Sequence, residues 1–356
     1  MPRTLRSLLA ALLLSTALAG GGGPASSPGA PNSGGPSRSA PTLNGPTLKG
    51  SAPPGLRVGA AVSAALFEDP AYAALVAREF SSVTPENAMK WQATEANEGT
   101  FVYGLADAIV TWATRHGIAV RGHTLIWHDS APGWLYQIRD AARMRQVMGA
   151  HIRALMTHYP QVTTWDVVNE AVSDAPGHPL RANSPFAVAG PDYIAHAFRE
   201  AHAANPQARL YYNDYSADGI NGKSDAIYAL LRDLLAQGVP IHGVGFQAHL
   251  DETYDVTASR VTENLRRFRA LGLDVHLTEV DVTLRGPPTP DALKRQARVY
   301  HDLLTACRAA GCSNFTLWGV TDLSSWRAAA YPLPFDDDGR PKPAHAALIA
   351  ALRGPP

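Results

Sequence analysis

Short runs of β-branched and aromatic residues alternate along the chain with longer stretches of helical periodicity. In the longer stretches apolar residues recur three, four and seven positions apart, as from Ile227 to Gln237, which predicts amphipathic helices. Strands that alternate with such helices are typical of βα units around a parallel sheet. The strand-like runs are Leu56–Ala60, Ser81–Thr84, Ala119–His123, Thr164–Val168, Arg209–Asn213, Gly243–Phe246, Asp274–Thr278 and Asn314–Leu317.

This alternation predicts an α/β protein with a single (β/α)8 barrel over residues 55–353. A closed parallel barrel leaves no strand edge unpaired, which favours it over the alternative, a doubly wound open sheet. Hydrophobic residues make up 46% of the 356-residue chain and charged residues 17%. That composition supplies enough apolar surface for a large core and excludes a disordered chain.

The first 54 residues differ from the rest of the chain. Arg3 and Arg6 precede an apolar run that ends in Ala17-Leu18-Ala19, which predicts a signal peptide over residues 1–19, cleaved near Ala19. The run is too short to cross a bilayer of ~30 Å, so we predict secretion, to the periplasm or the medium, without a membrane anchor. Residues 20–54 are mostly Gly, Pro and Ser, which predicts a disordered linker.

Charge and cysteine content narrow the functional classes further. Lys+Arg and Asp+Glu both number 31, so no excess of basic charge is available to bind nucleic acid. Cys307 and Cys312 lie five positions apart, which favours a local disulfide in an exported chain. The alternative, a metal site, would need two further ligands that the intervening residues do not supply.

Polar side chains follow several of the predicted strands. Active sites of (β/α)8 barrels lie at the carboxyl ends of the strands, so these side chains would share one mouth. Glu170 and Glu279 directly follow the fourth and seventh runs. Two converging carboxyl groups are the equipment of glycoside hydrolysis, one to protonate the leaving oxygen and one to attack or stabilise the anomeric carbon. A single Glu there would be read as a solvated loop residue, but a pair favours catalysis.

The neighbours of the two glutamates suggest different roles for them. Asn169 can donate a hydrogen bond to a sugar hydroxyl beside the reacting carbon. Asp281 would orient His249, and His249 would hold Glu279 ionised. Glu170 would keep a raised pKa and act as the acid. For His249 alone, a buried structural histidine is an equally good interpretation.

The remaining strand-end residues predict a sugar-binding surface. Indole rings can form a wall for pyranose faces, and polar groups between them can bind hydroxyls. Each Trp taken singly is also consistent with core packing. The predicted wall comprises Trp127, Trp318 and Trp326, and the predicted hydroxyl ligands are Glu86, Asn87, Lys90, His123 and Gln247.

Other enzyme classes lack their motifs in this chain. No His-x-His occurs among the 13 histidines, which argues against a metal-dependent barrel hydrolase. The sequence has neither Gly-x-Ser-x-Gly nor a complete P-loop or dinucleotide fingerprint, so serine hydrolases and nucleotide-binding enzymes are disfavoured. Two alternatives stay open, a glycosidase acting on cellulose or mannan and a catalytically inactive sugar-binding barrel.

The ordered motifs resemble those of the glycoside hydrolase family 10 endo-β-1,4-xylanases. The resemblance extends from about Leu56 to Leu352, and its segments occur in the order found in that family. The matching segments are Ser82–Asn87, Met89–Trp91, Arg121–His128, Trp165–Glu170, Tyr212–Tyr215, Gly245–Leu250, Thr278–Asp281, Trp318–Asp322 and Pro341–Pro343.

This resemblance implies a barrel that hydrolyses xylan and xylooligosaccharides with retention of configuration, as a monomer and without a cofactor or metal. Glu170 would be the acid/base and Glu279 the nucleophile, supported by His249 and Asp281. A disulfide between Cys307 and Cys312 also resembles one common in the family. The implied contacts on the glycone side are Glu86, Asn87, Lys90, His123, Trp127, Asn169, Gln247, Trp318 and Trp326.

Two segments depart from the family pattern. Asp129 and Ser130 stand where the family usually has Ser-Gln, which affects one expected sugar contact. The loop of residues 173–185 matches no segment of the pattern, so preferences on the leaving-group side are expected to differ. Neither departure involves the two glutamates.

Overall fold

The structure, a computed structural model, describes residues 45–63, 65–255 and 257–355. The predicted signal peptide and residues 20–44 of the predicted linker lie outside this part of the chain. Within the described residues, no helix combines the length and the apolar character that a membrane span requires.

The described residues contain a closed parallel barrel. Of the ten strands in the described part of the chain, β4 and β8 are short extensions that pair with β5 and β9, and the other eight form the ring. The ring closes because β10 pairs with both β1 and β9. This closure confirms the predicted (β/α)8 barrel and excludes the open sheet. The strands are β1 Arg57–Val62, β2 Ser82–Pro85, β3 Ala119–Gly122, β4 Ile126–Trp127, β5 Thr164–Asn169, β6 Arg209–Asp214, β7 Gly243–Phe246, β8 His249–Asp251, β9 Asp274–Thr283 and β10 Asn314–Leu317.

Helices connect the strands and cover the barrel. Several begin at a polar side chain that accepts hydrogen bonds from the free N–H groups of the first turn, such as Asp69 before α3 and Asn221 before α8. The α-helices are α1 Leu48–Ser51, α2 Ala65–Glu68, α3 Pro70–Glu79, α4 Trp91–Thr94, α5 Gly104–Arg115, α6 Ala141–His158, α7 Tyr193–Ala204, α8 Gly222–Ala236, α9 Ala258–Arg269, α10 Pro290–Ala310 and α11 Pro343–Arg353. The described residues also form five 3-10 helices, His128–Ser130, Gly133–Gln137, Pro185–Ala189, Asp322–Ser324 and Ala328–Ala330.

The eight ring strands lie within two residues of the predicted runs, with one exception. The run predicted to end at Thr278 continues to Thr283 as β9. It continues because β8 pairs with the second half of β9, with His249 opposite Asp281. Sequence pattern alone missed β8, which has three residues, and β4, which has two.

The predicted linker boundary at residue 54 is wrong for the residues nearest the barrel. Leu48–Ser51 form α1, and the Leu48 side chain is fully buried. The Leu48 N–H donates to the buried carboxylate of Glu79 at 2.9 Å, and His345 lies 3.2 Å from the same oxygen. The ordered domain therefore begins before Leu56, because this short segment packs its one large apolar side chain into the core.

Close packing of the barrel strands depends on glycine at several positions, including Gly122 and Gly245. A Cβ atom on Gly245 would lie 2.2 Å from Oδ1 of Asn213, and one on Gly122 would lie 2.2 Å from the ring of Trp165. Such separations are far shorter than a carbon contact allows. Glycine at residue 245 therefore makes room for a polar side chain that belongs to the site described below.

The two cysteines lie at the end of α10 and just before β10. Both are buried free thiols in the structure, and Cys307 Sγ donates to the Asn314 carbonyl at 3.7 Å. Burial and the neighbouring Cys307 thiol raise the pKa of Cys312 well above its usual value. The predicted disulfide is not shown by the structure and stays a prediction.

Candidate active site

Polar side chains collect at the carboxyl ends of the barrel strands. Glu86 and Asn87 follow β2, His123 follows β3, and Gln247 follows β7, while Glu279 lies within β9. Parallel strands in a closed barrel bring their carboxyl ends to one rim. Gln247 donates to Glu170, and His123 lies 4.0 Å from Glu279, so side chains from several strand ends surround the two glutamates.

Glu170 follows β5 in an unusual backbone conformation. Its φ is 55°, in the left-handed region that non-glycine residues rarely adopt. The side chain accepts hydrogen bonds from Trp127 Nε1 at 2.9 Å, Gln247 Nε2 at 2.9 Å and Asn169 Nδ2 at 3.3 Å. Three neutral donors from three strand ends therefore fix the position of the carboxyl group.

The surroundings of Glu170 favour the protonated form of its carboxyl group. Burial raises the pKa of Glu170 above its ordinary value, and the negative charges of Asp214 and Glu279 raise it further. Hydrogen bonds from Gln247 and Trp127 oppose this rise but do not cancel it. A carboxyl group in this state can hold a proton and release it to a substrate.

Glu279 has the opposite electrostatic state. Its carboxylate accepts a hydrogen bond from Asn213 Nδ2 at 2.7 Å and one from His249 Nε2 at 3.3 Å, and His123 Nδ1 lies 4.0 Å away. Burial raises the pKa of Glu279, but the His249 hydrogen bond and the neighbouring histidines outweigh it and leave the pKa lowered. Glu279 is therefore the ionised member of the pair.

Asn213 connects the two glutamates, and sequence reasoning did not select it as a site residue. Its Nδ2 donates to Asn169 Oδ1 at 2.8 Å and to Glu279 Oε1 at 2.7 Å, while its Oδ1 accepts from Thr278 Oγ1 at 2.7 Å. The side chain is fully buried and sits against Gly245. Its place at the end of a strand, within a motif of the resemblance, was the signal that could have identified it.

Asp281 organises the groups on the far side of Glu279. Its carboxylate accepts from His249 Nδ1 at 3.0 Å, from Trp326 Nε1 at 2.8 Å and from Arg327 Nη1 at 3.2 Å. Burial alone would lower the pKa of His249, but the hydrogen bonds and charges of Asp281 and Glu279 raise it to about 9. His249 is therefore a cation between two carboxylates at neutral pH.

The buried ion pair of Arg121 and Asp166 holds His123 in position, and the sequence analysis did not select either residue. Its Nδ1 donates to Asp166 Oδ2 at 3.0 Å, and Arg121 Nε donates to the same oxygen at 2.9 Å. Burial raises the pKa of Asp166, but the charges and hydrogen bonds of Arg121 and His123 outweigh burial and lower it to about 2. This carboxylate therefore fixes Nδ1 as the donor and leaves His123 Nε2 for other partners.

The residues after β2 form a second polar group. Lys90 Nζ donates to Asn87 Oδ1 at 2.8 Å and lies 4.8 Å from the centre of the Trp127 ring. Burial lowers the pKa of Lys90, although the negative charges of Glu86 and Asp129 act in the opposite direction. Burial raises the pKa of Glu86. These partly buried groups present both donors and acceptors beside the Trp127 ring.

The three predicted wall tryptophans differ in exposure. Trp326 is 55% exposed and Trp318 only 6%, and Trp127 is intermediate. The Trp318 ring makes edge contacts with His123 at 5.2 Å and His249 at 6.2 Å, between ring centres. Trp318 is therefore packed behind the two histidines, whereas Trp326 offers a large open ring face.

The arrangement is suited to acid/base and nucleophilic chemistry at a single centre. A carboxyl group with a raised pKa and one with a lowered pKa are joined through Asn169 and Asn213. Environments that push two carboxyl pKa values apart separate the acid from the base or nucleophile. In the part of the chain that the structure describes, no group of three or more His, Cys, Asp or Glu side chains is placed to hold a metal ion.

Comparison with known proteins identifies the family. The family model of glycosyl hydrolase family 10 matches residues 49–351. The chain belongs to this family. Its relatives include a protein named endo-1,4-beta-xylanase 3 of Hypocrea jecorina, which is 36% identical over 301 residues that cover 84% of this chain and 83% of the relative.

Solved structures of family 10 enzymes superpose on the barrel. Native xylanase 10B from Thermotoga maritima is 34% identical with a TM-score of 0.82, over 86% of this chain and 98% of that one. Xylanase 10B from Thermotoga petrophila in complex with xylobiose is 33% identical with a TM-score of 0.82, over 87% of this chain and 98% of that one. The barrel therefore has the fold of glycosyl hydrolase family 10, as the sequence resemblance implied.

Proposed function

We propose that this protein is an endo-1,4-β-xylanase that cleaves internal β-1,4-xylosidic bonds with retention of configuration. The observation that carries the proposal is the pair of joined carboxyl groups, Glu170 with a raised pKa and Glu279 with a lowered one. Retaining glycosidases use one carboxyl group as acid/base and the other as nucleophile. Family membership and relatives named as xylanases support the choice of substrate.

In the first step Glu170 donates its proton to the glycosidic oxygen while Glu279 attacks the anomeric carbon. The bond from that carbon to the glycosidic oxygen breaks, and a bond to a Glu279 oxygen forms. The Asn213 and His249 hydrogen bonds keep Glu279 aimed and ionised before attack. Trp127 and Gln247 hold Glu170 beside the leaving group.

In the second step Glu170, now ionised, removes a proton from water. The water oxygen bonds to the anomeric carbon, and the bond from that carbon to Glu279 breaks, so both glutamates return to their starting states. Two successive displacements at one carbon retain its configuration. One N–H of Asn169 Nδ2 donates to Glu170, and the other would donate to a sugar hydroxyl beside the reacting carbon.

The surrounding residues would bind the sugar units on the glycone side. His123 Nε2, Lys90, Glu86 and Asn87 would bind hydroxyls, and the rings of Trp127 and Trp326 would cover pyranose faces. Xylose lacks the hydroxymethyl group that glucose carries at C6, so a close wall formed by the exposed ring of Trp326 would exclude cellulose. The complex of the Thermotoga petrophila relative with xylobiose supports oligomers of xylose as ligands of this cleft.

We expect xylotetraose to be hydrolysed with the β-anomer of the product appearing first, and cellotetraose to be cleaved at least about a hundredfold more slowly. One group that fits or clashes in a pocket is worth about 10 to 200-fold, and retention follows from double displacement. A proton NMR time course on each tetrasaccharide, read before mutarotation, measures both results at once.

Three outcomes would contradict the proposal in different ways. First appearance of the α-anomer would make Glu279 a general base and the reaction a single displacement. Faster cleavage of cellotetraose would support a cellulase instead. Binding of xylotetraose without cleavage, measured by calorimetry, would indicate an inactive sugar-binding barrel.

The pH dependence of kcat/KM should be bell-shaped, with limbs set by the two glutamates. Activity falls at low pH as Glu279 is protonated, at a pKa below the ordinary carboxyl value, and falls at high pH as Glu170 loses its proton, at a raised pKa. His249→Ala removes the hydrogen bond that lowers the pKa of Glu279, so the acidic limb should move to higher pH. A pH profile of kcat/KM checks this, with the exposed His116→Ala as control, and an acidic limb that stays in place would exclude His249 from this role.

A further inference from the structure

The loop after β5 turns back on itself and returns to Glu170. Val172 pairs with Leu180 in an antiparallel bridge, and the Ser173 N–H donates to the Pro179 carbonyl at 2.8 Å. The hairpin ends with the Arg181 N–H donating to the Ala171 carbonyl at 2.8 Å. The segment that matched no family pattern in sequence therefore places Arg181 directly beside Glu170.

Arg181 contacts the main chain of Glu170. Its Nε donates to the Glu170 carbonyl at 2.8 Å, and on the other side the Glu170 N–H donates to the Asn213 carbonyl at 2.8 Å. Glu170 has a φ of 55°. A non-glycine residue keeps this conformation only where surrounding contacts over-determine it, and these two hydrogen bonds hold both of its peptide groups.

Arg181 is itself anchored by a charged network. Its Nη2 donates to the Tyr215 hydroxyl at 2.6 Å, and that hydroxyl donates to Asp174 of the hairpin. The buried Lys223 donates to Asp174 at 2.9 Å, lies 3.1 Å from Asp214, and sits 3.3 Å from the centre of the Tyr215 ring. The guanidinium is therefore fixed in place before any substrate binds.

The same network holds the two peptide groups after Glu170. The N–H groups of Ala171 and Val172 donate to the Tyr212 hydroxyl at 3.1 and 3.2 Å, and Tyr212 donates to the buried Asp214 at 2.6 Å. The backbone from Glu170 to Val172 is thus held from two directions, by Arg181 and by Tyr212. Arg181 is the member that touches the residue proposed as acid/base.

We propose that Arg181 is a positioning residue for Glu170, fixing the main chain so that the carboxyl group stays at the leaving oxygen. This inference rests on the proposed function, in which Glu170 is the acid/base. Two of the three donors to the carboxyl group, Trp127 and Gln247, come from other strands. A shift of the Glu170 backbone therefore separates the carboxyl group from donors that do not move with it.

The test is Arg181→Met assayed on two xylobiosides that differ only in the leaving group. Misplacement by about 1 Å can cost about a hundredfold where proton transfer is needed. We expect kcat/KM to fall about ten to a hundredfold on the phenyl glycoside and less than about threefold on the 2,4-dinitrophenyl glycoside, which leaves without a proton. The alkaline limb of the pH profile should move to higher pH, since hydrogen bonds from Gln247 and Trp127 lower the pKa of Glu170 and would be lost.

Two further variants keep the test decisive. Arg181→Lys retains a cation that can reach the Glu170 carbonyl and should recover part of the lost activity. Tyr215→Phe retains Arg181 but removes the hydroxyl that anchors it. This variant should show the same dependence on the leaving group, with a smaller loss. Arg199→Met, at an exposed arginine on α7, is the matched control. Should Arg181→Met not fold by circular dichroism, Tyr215→Phe carries the same comparison.

Equal losses on both leaving groups, with the alkaline limb unchanged, would overturn the inference and leave Arg181 as a residue that stabilises the loop. That outcome is distinguishable from failure of the proposed function. If Glu170→Ala also lacks dependence on the leaving group, Glu170 is not the acid. If Glu170→Ala shows that dependence and Arg181→Met does not, only the positioning role fails.

Discussion

Glu279→Ala should lose activity on every substrate, by about four orders of magnitude or more, whatever the leaving group. Removing a nucleophile from a catalytic site costs about as much as removing the whole catalytic set. Departure of a good leaving group cannot compensate, because the anomeric carbon still needs a nucleophile. The loss should therefore be the same for xylan and for 2,4-dinitrophenyl xylobioside.

Azide provides a positive readout for the same variant. The alanine side chain leaves space on the face of the sugar where Glu279 stood, and azide entering that space attacks in a single displacement. We expect α-xylobiosyl azide as the product, measured by proton NMR. Glu263→Ala, at an exposed glutamate on α9, is the control and should keep full activity. A Glu279→Ala enzyme that still hydrolyses the activated substrate would exclude Glu279 as nucleophile.

The barrel strands could be predicted because most are short runs of largely buried residues that alternate with amphipathic helices. Gly243–Phe246 and Asn314–Leu317 match their predicted bounds. The extension of β9 to Thr283 depends on pairing with β8, a contact between segments far apart in sequence. Periodicity cannot reveal a strand of two or three residues whose existence depends on its partner.

The two glutamates could be predicted because strand ends in a barrel share one rim. A raised pKa for Glu170 and an ionised Glu279 were also expected from their sequence neighbours. The hydrogen bonds that Trp127, Gln247 and Asn213 make to the two carboxyl groups needed the three-dimensional structure, because these donors come from other strands. Asn213 was missed since a strand-end asparagine has no chemistry of its own, and its importance lies in touching both Asn169 and Glu279.

The predicted linker boundary at residue 54 was wrong because it, too, depends on contacts between distant residues. Residues 45–54 have the composition of a disordered tether, but one leucine among them enters the core and a buried carboxylate accepts its N–H. Composition averages over such a segment and cannot show which of its residues make tertiary contacts. Burial of Leu48 and its N–H bond to Glu79 act together with the contacts of Lys49 with Ala77 and of Ser51 with Arg353. Leu48 and Glu79 lie 31 residues apart, so no local pattern links them.

Glu170→Ala should separate the two chemical steps. On xylan, kcat/KM should fall by about 10² to 10⁴-fold, the usual contribution of a general acid. On 2,4-dinitrophenyl xylobioside, kcat/KM should be nearly unchanged, because the first step needs no proton for that leaving group. The kcat on that substrate should nevertheless fall, since water attacks the glycosyl-enzyme slowly without a base. Steady-state kinetics on the two substrates, with an initial burst of dinitrophenolate, measure this split.

Azide again distinguishes the roles, now with the opposite stereochemistry. Azide needs no general base, so it should restore kcat of Glu170→Ala on the activated substrate and give β-xylobiosyl azide, the product of two displacements. The α-azide from Glu279→Ala and the β-azide from Glu170→Ala can arise together only if the two carboxyl groups act on opposite sides of the anomeric carbon. If neither azide product is recovered, or if both variants give the same anomer, the roles proposed for Glu170 and Glu279 are wrong. The two azide products therefore test the acid/base and the nucleophile independently of any rate comparison.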